Sequence, residues 1–407
     1  MSYDIPPALH WNDYHIYAKA FSELPQMKTF FFTCRDNAYN WELAKQSPVI
    51  KYSPVSTIPI LPNGLLHLLL SIDESMRPAQ TVSILSLLGR LTHIQGLSLN
   101  FAYCAAVSEQ ALIETMALLP SLSNLKHLAV KFVMCPNFTE EVVFTLSRSL
   151  CHIKQLENLS FQFESCQAIT NTSILSLFTS LKKNLYLKNL NINIQDCLML
   201  NVQSFQLLPE VLESLGELEG LSLILPGIIE TSDTELLSLS SQIRKLTELK
   251  NVHLNFSNCE EISDIGLCAI GESLMKIKGV KYLEIHLDNC WKLGNEGVYQ
   301  VGKYIKVLRE LHSLKISLKG CRNITAEGVN QLMSEVCEIE NLQYLTLDFG
   351  TGVGEEMTFH KADVFLKFER MENISVNLKA SREMIIQRVQ DLRKKLGEVR
   401  QVIIFFK

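Results

Sequence analysis

Apolar residues alternate with polar ones in short stretches that return at a fixed interval. Leu97, Leu99 and Phe101 form one stretch; Leu128, Val130 and Phe132 the next; then Leu159, Phe161 and Phe163, and Leu190, Ile192 and Ile194. The series continues through Leu221, Val252, Leu283, Leu314 and Leu345, so nine consecutive units share one 31-residue register without an insertion. Period-two alternation over about six residues predicts a strand with one buried face. Seven cysteines follow the same interval, at positions 104, 135, 166, 197, 259, 290 and 321, with Ile228 where the eighth would stand. Four residues beyond each comes Ser108, Thr139, Thr170, Asn201, Ser232, Ser263, Gly294 or Thr325. All but the glycine are preferred helix N-caps, since a short side-chain oxygen accepts from an otherwise unpaired N–H of the first turn. A helical spacing follows, for example Ile265, Leu267, Ile270 and Leu274. Each unit therefore reads as strand, tight turn, capped helix and return loop. Successive strands can pair only in parallel, with the helices outside.

The ends depart from this register. Leu66, Leu68 and Leu70 hold the strand phase with Asp73 at the cysteine position, and Phe30 to Cys34 reads as a degenerate first strand. Residues 46–63 contain four prolines and read as an irregular insertion. At the other end Val376, Leu378 and Ala380 keep the phase. An amphipathic helix is expected over 381–396, stopped by Gly397, then a final strand over 402–406. The expected organisation is an N-terminal cap (1–63), a repeat array (64–380) and a C-terminal cap (381–407). Terminal units must differ because one face of each has no neighbour.

Leu283-x-Ile285-x-Leu287-x-x-Cys290, with Cys259-x-x-Ile262-Ser263-Asp264-x-Gly266-Leu267, resembles the long, cysteine-containing, ribonuclease-inhibitor-like class of leucine-rich repeats. The resemblance spans roughly residues 65–380. It implies an α/β leucine-rich-repeat solenoid, a horseshoe of about eleven 31-residue βα repeats with the parallel sheet inside. The alternation runs two residues past the family's minimal pattern, so longer strands are expected. The resemblance fixes a fold and leaves function open, because this architecture serves many roles.

Composition narrows the function classes. The chain has 407 residues, 47% of them hydrophobic, and a net charge of -5, which does not advertise nucleic acid or an anionic membrane as partner. Its first residues carry no basic and apolar leader pattern, and no apolar run approaches the roughly 18 residues that span a bilayer. An odd number of cysteines, eleven, with no C-x-x-C, points to a reduced intracellular protein without a zinc finger.

Candidate chemistry is sparse. The cysteine ladder is close enough for disulfides but reads as small buried hydrophobes whose thiols help satisfy backbone. Gly297-x-x-x-x-Gly302-Lys303 imitates a phosphate loop, yet Tyr304 replaces the Ser or Thr and the segment lies in a helix. Gly297 is in phase with Gly266 and Gly328, which suggests close helix approach. Gly350 to Gly354 reads as a slack turn, and the six N-x-S/T sequons read as coincidental. His253, His286, Glu284 and Asp288 share the outward face of neighbouring strands. They can in principle hold a metal, but read as a solvated polar patch available to a protein partner. No catalytic, cofactor or metal site is assigned, and no small-molecule substrate is expected.

The outward strand positions are polar and, within the alternating stretches, free of aromatics and Arg. Such residues concentrate binding energy at interfaces. The turn row just past the cysteines differs: Glu260, Trp291 and Arg322 occupy one phase of three successive repeats, with Lys292 one position on. The sequence thus favours a non-catalytic protein-interaction scaffold, a subunit of a cytoskeletal, ciliary or organellar assembly. Two alternatives are a substrate receptor of a ubiquitin ligase and a regulator of an enzyme or small GTPase. The first is weakened because residues 1–60 match an F-box only at Leu24-Pro25.

Overall fold

The computed structural model describes residues 29–33, 49–51, 66–72, 85, 88–105, 107–228, 230–350, 373–378 and 401–406. They fall into two compact units, Met1–Leu187 with Cys197–Met199, and Lys188–Asp196 with Leu200–Lys407, each described by itself. In the first unit the strands are β1 (Thr29–Thr33), β2 (Val49–Lys51), β3 (His67–Ile72), β4 (Gly96–Ala102), β5 (His127–Val133) and β6 (Asn158–Glu164). They pair in parallel in the order β2-β1-β3-β4-β5-β6. Helices α1 (Glu109–Leu118), α2 (Glu140–Leu150) and α3 (Asn171–Leu181) follow β4, β5 and β6.

The second unit runs β7 (Asn189–Asn193), α4 (Leu208–Ser214), β8 (Gly220–Ile224), α5 (Asp233–Ile243), β9 (Asn251–Asn255) and α6 (Asp264–Met275). It continues with β10 (Tyr282–His286), α7 (Asn295–Lys306), β11 (Ser313–Ser317), α8 (Ala326–Val336), β12 (Tyr344–Gly350), β13 (Asn373–Leu378) and β14 (Gln401–Phe406). Each strand pairs in parallel with the next. Each unit is an α/β repeat solenoid of leucine-rich-repeat-like type.

The register carries the core. Leu99 pairs with Val130 and Val130 with Phe161, all buried on one face. Phe132 stacks on Phe101 at 4.8 Å and on Phe138 at 3.7 Å between ring centroids. In the second unit Leu223, Leu254, Ile285, Ile316 and Leu347 form the matching layer, each at most 2% exposed. Strands β4, β5, β6 and β12 have seven residues, whereas β7 to β11 have five. The long form is thus confined to part of the chain.

Strand ends are held by the cysteines. Sγ of Cys135, Cys166, Cys197, Cys290 and Cys321 donates to the carbonyls of Phe101, Phe132, Phe163, Phe256 and Leu287, each 34 residues earlier, at 3.0–3.6 Å. The ten described cysteines are free thiols. Burial pushes Cys166 and Cys290 above the ordinary thiol range, whereas a hydrogen bond with Cys104 holds Cys135 down at about 7.

The residue before each cysteine position is left-handed in eight successive repeats: Tyr103, Met134, Ser165, Asp196, Gly227, Asn258, Asn289 and Gly320. For Tyr and Met this conformation costs about 1–2 kcal/mol. It persists because the amide there is tied to the next repeat, as in Asn258 N–H to Asp288 O at 2.7 Å and Asn289 N–H to Lys319 O at 2.6 Å.

Seven helices begin at the expected caps, including Gly294. Asn201 caps a 3-10 turn, Val202–Phe205, and α4 starts only at Leu208. Pro209 has no N–H to continue a helix from Phe205, which accounts for the break. The caps are themselves capped from the preceding repeat. Asp233 accepts from Ser263 N–H (2.8 Å) and Gly266 N–H (3.0 Å), Asp264 from Gly294 N–H (2.7 Å), and Asn295 from Thr325 N–H (2.8 Å). A Cβ on Gly297 would stand 2.4 Å from Asp264 Oδ1 and 2.9 Å from its Cα. Gly297 is therefore glycine to admit the capping aspartate of the previous helix.

Val49–Lys51, inside the segment read as irregular, is a strand paired with β1. Its β-branched pair, between Pro48 and Pro54, favours extended backbone, and prolines are tolerated at strand ends. At both ends the register differs by two residues from the one expected, because the 31-residue step is not kept outside the nine regular units. Leu68, Leu70 and Ile72, not Leu66, Leu68 and Leu70, pair with Leu97, Leu99 and Phe101. Ile374 and Val376, not Val376 and Leu378, pair with Leu345 and Leu347. The helix expected over 381–396, Gly397, Asp73, Ala380 and residues 351–354 lie outside the described residues.

Two stability measurements check this fold. Ile285→Ala empties a closed layer and is expected to cost about 2–5 kcal/mol in denaturant melts, against under about 0.5 kcal/mol for the outward Ser98→Ala; equal costs would mean the strand faces are reversed. Gly297→Ala must displace Asp264 and is expected to cost about 1–3 kcal/mol, although alanine normally favours a helix over glycine. A stabilised Gly297→Ala protein would contradict the cap relay.

Candidate protein-binding surface

The turn row is built on rigid backbone. After each strand come the left-handed residue, the cysteine, and then a second short β-ladder: Ser232 bridges Glu261, Ser263 bridges Lys292, and Gly294 bridges Asn323. These bridges flank the phase that holds Glu260, Trp291 and Arg322. Asn323 Nδ2 donates to Trp291 O at 2.7 Å, which fixes the peptide carrying the indole. Trp291 remains 42% exposed, and Arg322 Cζ lies 5.4 Å from its ring centroid. That distance is within cation–π range, worth about 0.5–1 kcal/mol at an exposed site. Glu260 is exposed in the same phase. Lys292 pairs with Glu261 at 2.6 Å, a partner that sequence phase did not single out. The row thus presents a flat indole, a guanidinium within cation–π reach of it and a flanking ion pair.

The second group lies on β9 and β10. Strand pairing sets Glu284 beside His253 and His286 beside Asn255. Glu284 Oε1 accepts from Lys315 Nζ at 2.5 Å, meets His286 Nε2 at 2.5 Å and stands 3.9 Å from His253 Nε2. The side chains of His253, Glu284 and His286 are 29%, 31% and 17% exposed, so they are half-buried instead of freely solvated. Burial raises the Glu284 carboxyl, but hydrogen bonds from His286 and Lys315 and the charges of His253 and Lys315 outweigh it and hold the group at about 2. Desolvation lowers His253, opposed by the Glu284 charge.

Asp288 does a different job. Its Oδ1 accepts from Ser317 Oγ (2.6 Å) and Lys319 N–H (2.8 Å), closing the neighbouring strand end. The structure therefore brings His253, Glu284 and His286 together and leaves Asp288 out.

The outward sheet face also has an aromatic rim. Tyr282 and Tyr344 open β10 and β12 on the same side as Glu284 and Thr346 and are 55% and 44% exposed. They precede the first apolar residue of their stretches, so alternation alone excluded them. Pairing begins one residue earlier because Tyr282 N–H donates to Lys250 O and Tyr344 N–H to His312 O, both at 3.0 Å.

No protein-family model matches this chain, and no curated protein does. Among solved structures it is similar in fold to a chain of the Rad7–Elc1 complex from yeast, with 17% identity, 79% of this chain and 71% of that chain covered, and a TM-score of 0.54. A Bacteroides fragilis protein aligns over 84% of this chain and 65% of its own, at 12% identity and a TM-score of 0.26. The Rad7–Elc1 likeness agrees with an α/β repeat solenoid, the fold class expected from the sequence. Among the described residues, no helix is long and apolar enough to cross a membrane.

The pH dependence of the Glu284 cluster is a direct check. A carboxyl ordinarily near 4.5 and held at about 2 stabilises the folded state above about 4.5 and loses that contribution as pH falls toward 2. Wild type and Glu284→Gln should therefore differ in urea midpoint at pH 6 and converge between pH 4.5 and 2; a pH-independent gap would contradict the assignment.

Proposed function

We propose that this chain is a non-catalytic protein–protein interaction scaffold. It acts inside the cell as a subunit of a larger assembly and grips its partner at the turn row around Trp291 and Arg322. The observation that carries the reading is an exposed indole within cation–π reach of an arginine, on a backbone fixed by flanking β-bridges and by Asn323. Trp and Arg are the residues most enriched where interface energy concentrates, and preorganised side chains lose less entropy on binding. Glu260 and the Glu261–Lys292 pair supply the polar margin, and His253, Glu284, His286 and Asp288 form a secondary polar contact. We also propose that the repeats are of the ribonuclease-inhibitor-like class, a reading that the thiol-to-carbonyl ladder supports. Its candidate partners are proteins, with no nucleic acid, membrane insertion or small-molecule substrate.

The fold likeness to a chain solved in the Rad7–Elc1 complex favours one second reading. In it the chain is half of a stable two-protein module, as a ubiquitin-ligase substrate receptor is with its adaptor. Co-purification that returns such an adaptor in stoichiometric amount would select this reading.

Trp291→Ala is expected to weaken partner binding by about 2 kcal/mol or more, roughly thirtyfold, with little change in melting. Tyr282→Ala serves as the sheet-face control. If the Trp291 variant keeps full affinity while the Tyr282 variant loses it, the partner sits on the outward sheet face and the turn-row reading is wrong.

A further inference from the structure

We propose that His253, Glu284 and His286 form a binding site for a divalent transition metal of the zinc type, for which Lys315 is the competing resident cation. Sequence alone placed these residues in a polar contact patch; their mutual geometry points further. Both imidazoles direct Nε2 at one carboxylate oxygen, at 2.5 and 3.9 Å, and the three donor atoms lie within 4.8 Å of one another. Around a tetrahedral ion with bonds of 2.0–2.1 Å, ligand atoms stand roughly 3.3 Å apart. The observed separations straddle that value.

The donor set selects the ion. Two imidazoles and one carboxylate suit zinc and its transition-metal neighbours, whereas calcium and magnesium require mostly oxygen ligands. His253 Nδ1 lies 3.4 Å from Ser222 Oγ, an outer contact of the kind that orients ligating imidazoles and leaves Nε2 for the ion. Three protein ligands leave a coordination position for water or for a side chain of a bound protein. The ion would tie β9 to β10 across the sheet.

Lys315 makes the idea specific. Its ammonium, 2.5 Å from Glu284 Oε1, occupies the charge position that a metal would take. Metal entry must displace it, so removing that charge should strengthen binding. This inference does not depend on the turn-row reading, since Trp291 contributes no ligand.

The test is calorimetric titration of the full chain with zinc chloride in a phosphine reductant, repeated with His253→Ala/His286→Ala and with Lys315→Met. We expect one saturable site, weakened at least about tenfold in the double variant and tightened in Lys315→Met. Zinc should also raise the melting temperature of the wild type but not of the double variant. If the double variant does not fold, Glu284→Gln replaces it and should likewise lose the site. No saturable zinc binding by the wild type, or undiminished binding by the histidine variants, would overturn the proposal. So would a thiolate charge-transfer band on cobalt substitution, which would place the ion on the cysteines.

Discussion

Where a parallel strand ends, its last buried residue still presents a carbonyl that needs a donor, and water cannot reach it. In this chain the cysteine thiol of the next repeat donates to it, from three residues beyond the last buried apolar residue of its own repeat. A thiol is small enough to stay in the core and polar enough to donate weakly. The other features of each turn are counted from this contact. The left-handed residue stands immediately before the cysteine, the exposed turn position one after, the second β-bridge two after, and the helix cap four after. A one-residue change between strand and helix would disturb all of them together, which is why the register is kept without insertion. The helix caps add a second cross-repeat link, and Gly266, Gly297 and Gly328 are small because capping side chains from the previous repeat lie against them.

Much of this was legible before any coordinates. The buried strand faces, the caps and the juxtaposition of Trp291 with Arg322 follow from period-two alternation and a 31-residue step, because a solenoid makes sequence phase equivalent to spatial adjacency. What phase cannot give is side-chain reach. Lys315 leaning back to Glu284, Lys292 pairing with Glu261, and Asp288 turning to Ser317 while the two histidines turn to Glu284 depend on rotamers. Backbone conformation was hidden for a related reason. The left-handed position holds Tyr, Met, Ser, Asp, Asn and Gly in different repeats, so composition does not mark it. Tyr282 and Tyr344 escaped notice because strand pairing starts one residue ahead of the apolar pattern.

Two surfaces with different physics result. The turn row carries an aromatic and a guanidinium on a peptide fixed on both sides, suited to a localised contact. The outward face of β9 to β12 carries half-buried charges already engaged with one another, including Glu284 with Lys315 and Lys319 with Asp348. A partner that docked there would have to break ion pairs or desolvate them, at a cost that limits the affinity gained. We therefore propose that interaction energy concentrates at the turn row, with the sheet face contributing specificity or, through its histidines, a metal.

Position-specific photo-crosslinking tests that assignment most directly. A photoreactive phenylalanine analogue placed at position 291 keeps an aromatic ring there, and the same analogue at position 346 samples the outward sheet face. The account predicts that one protein is captured in high yield from 291 and little or none from 346. Capture from 346 with none from 291 would contradict it.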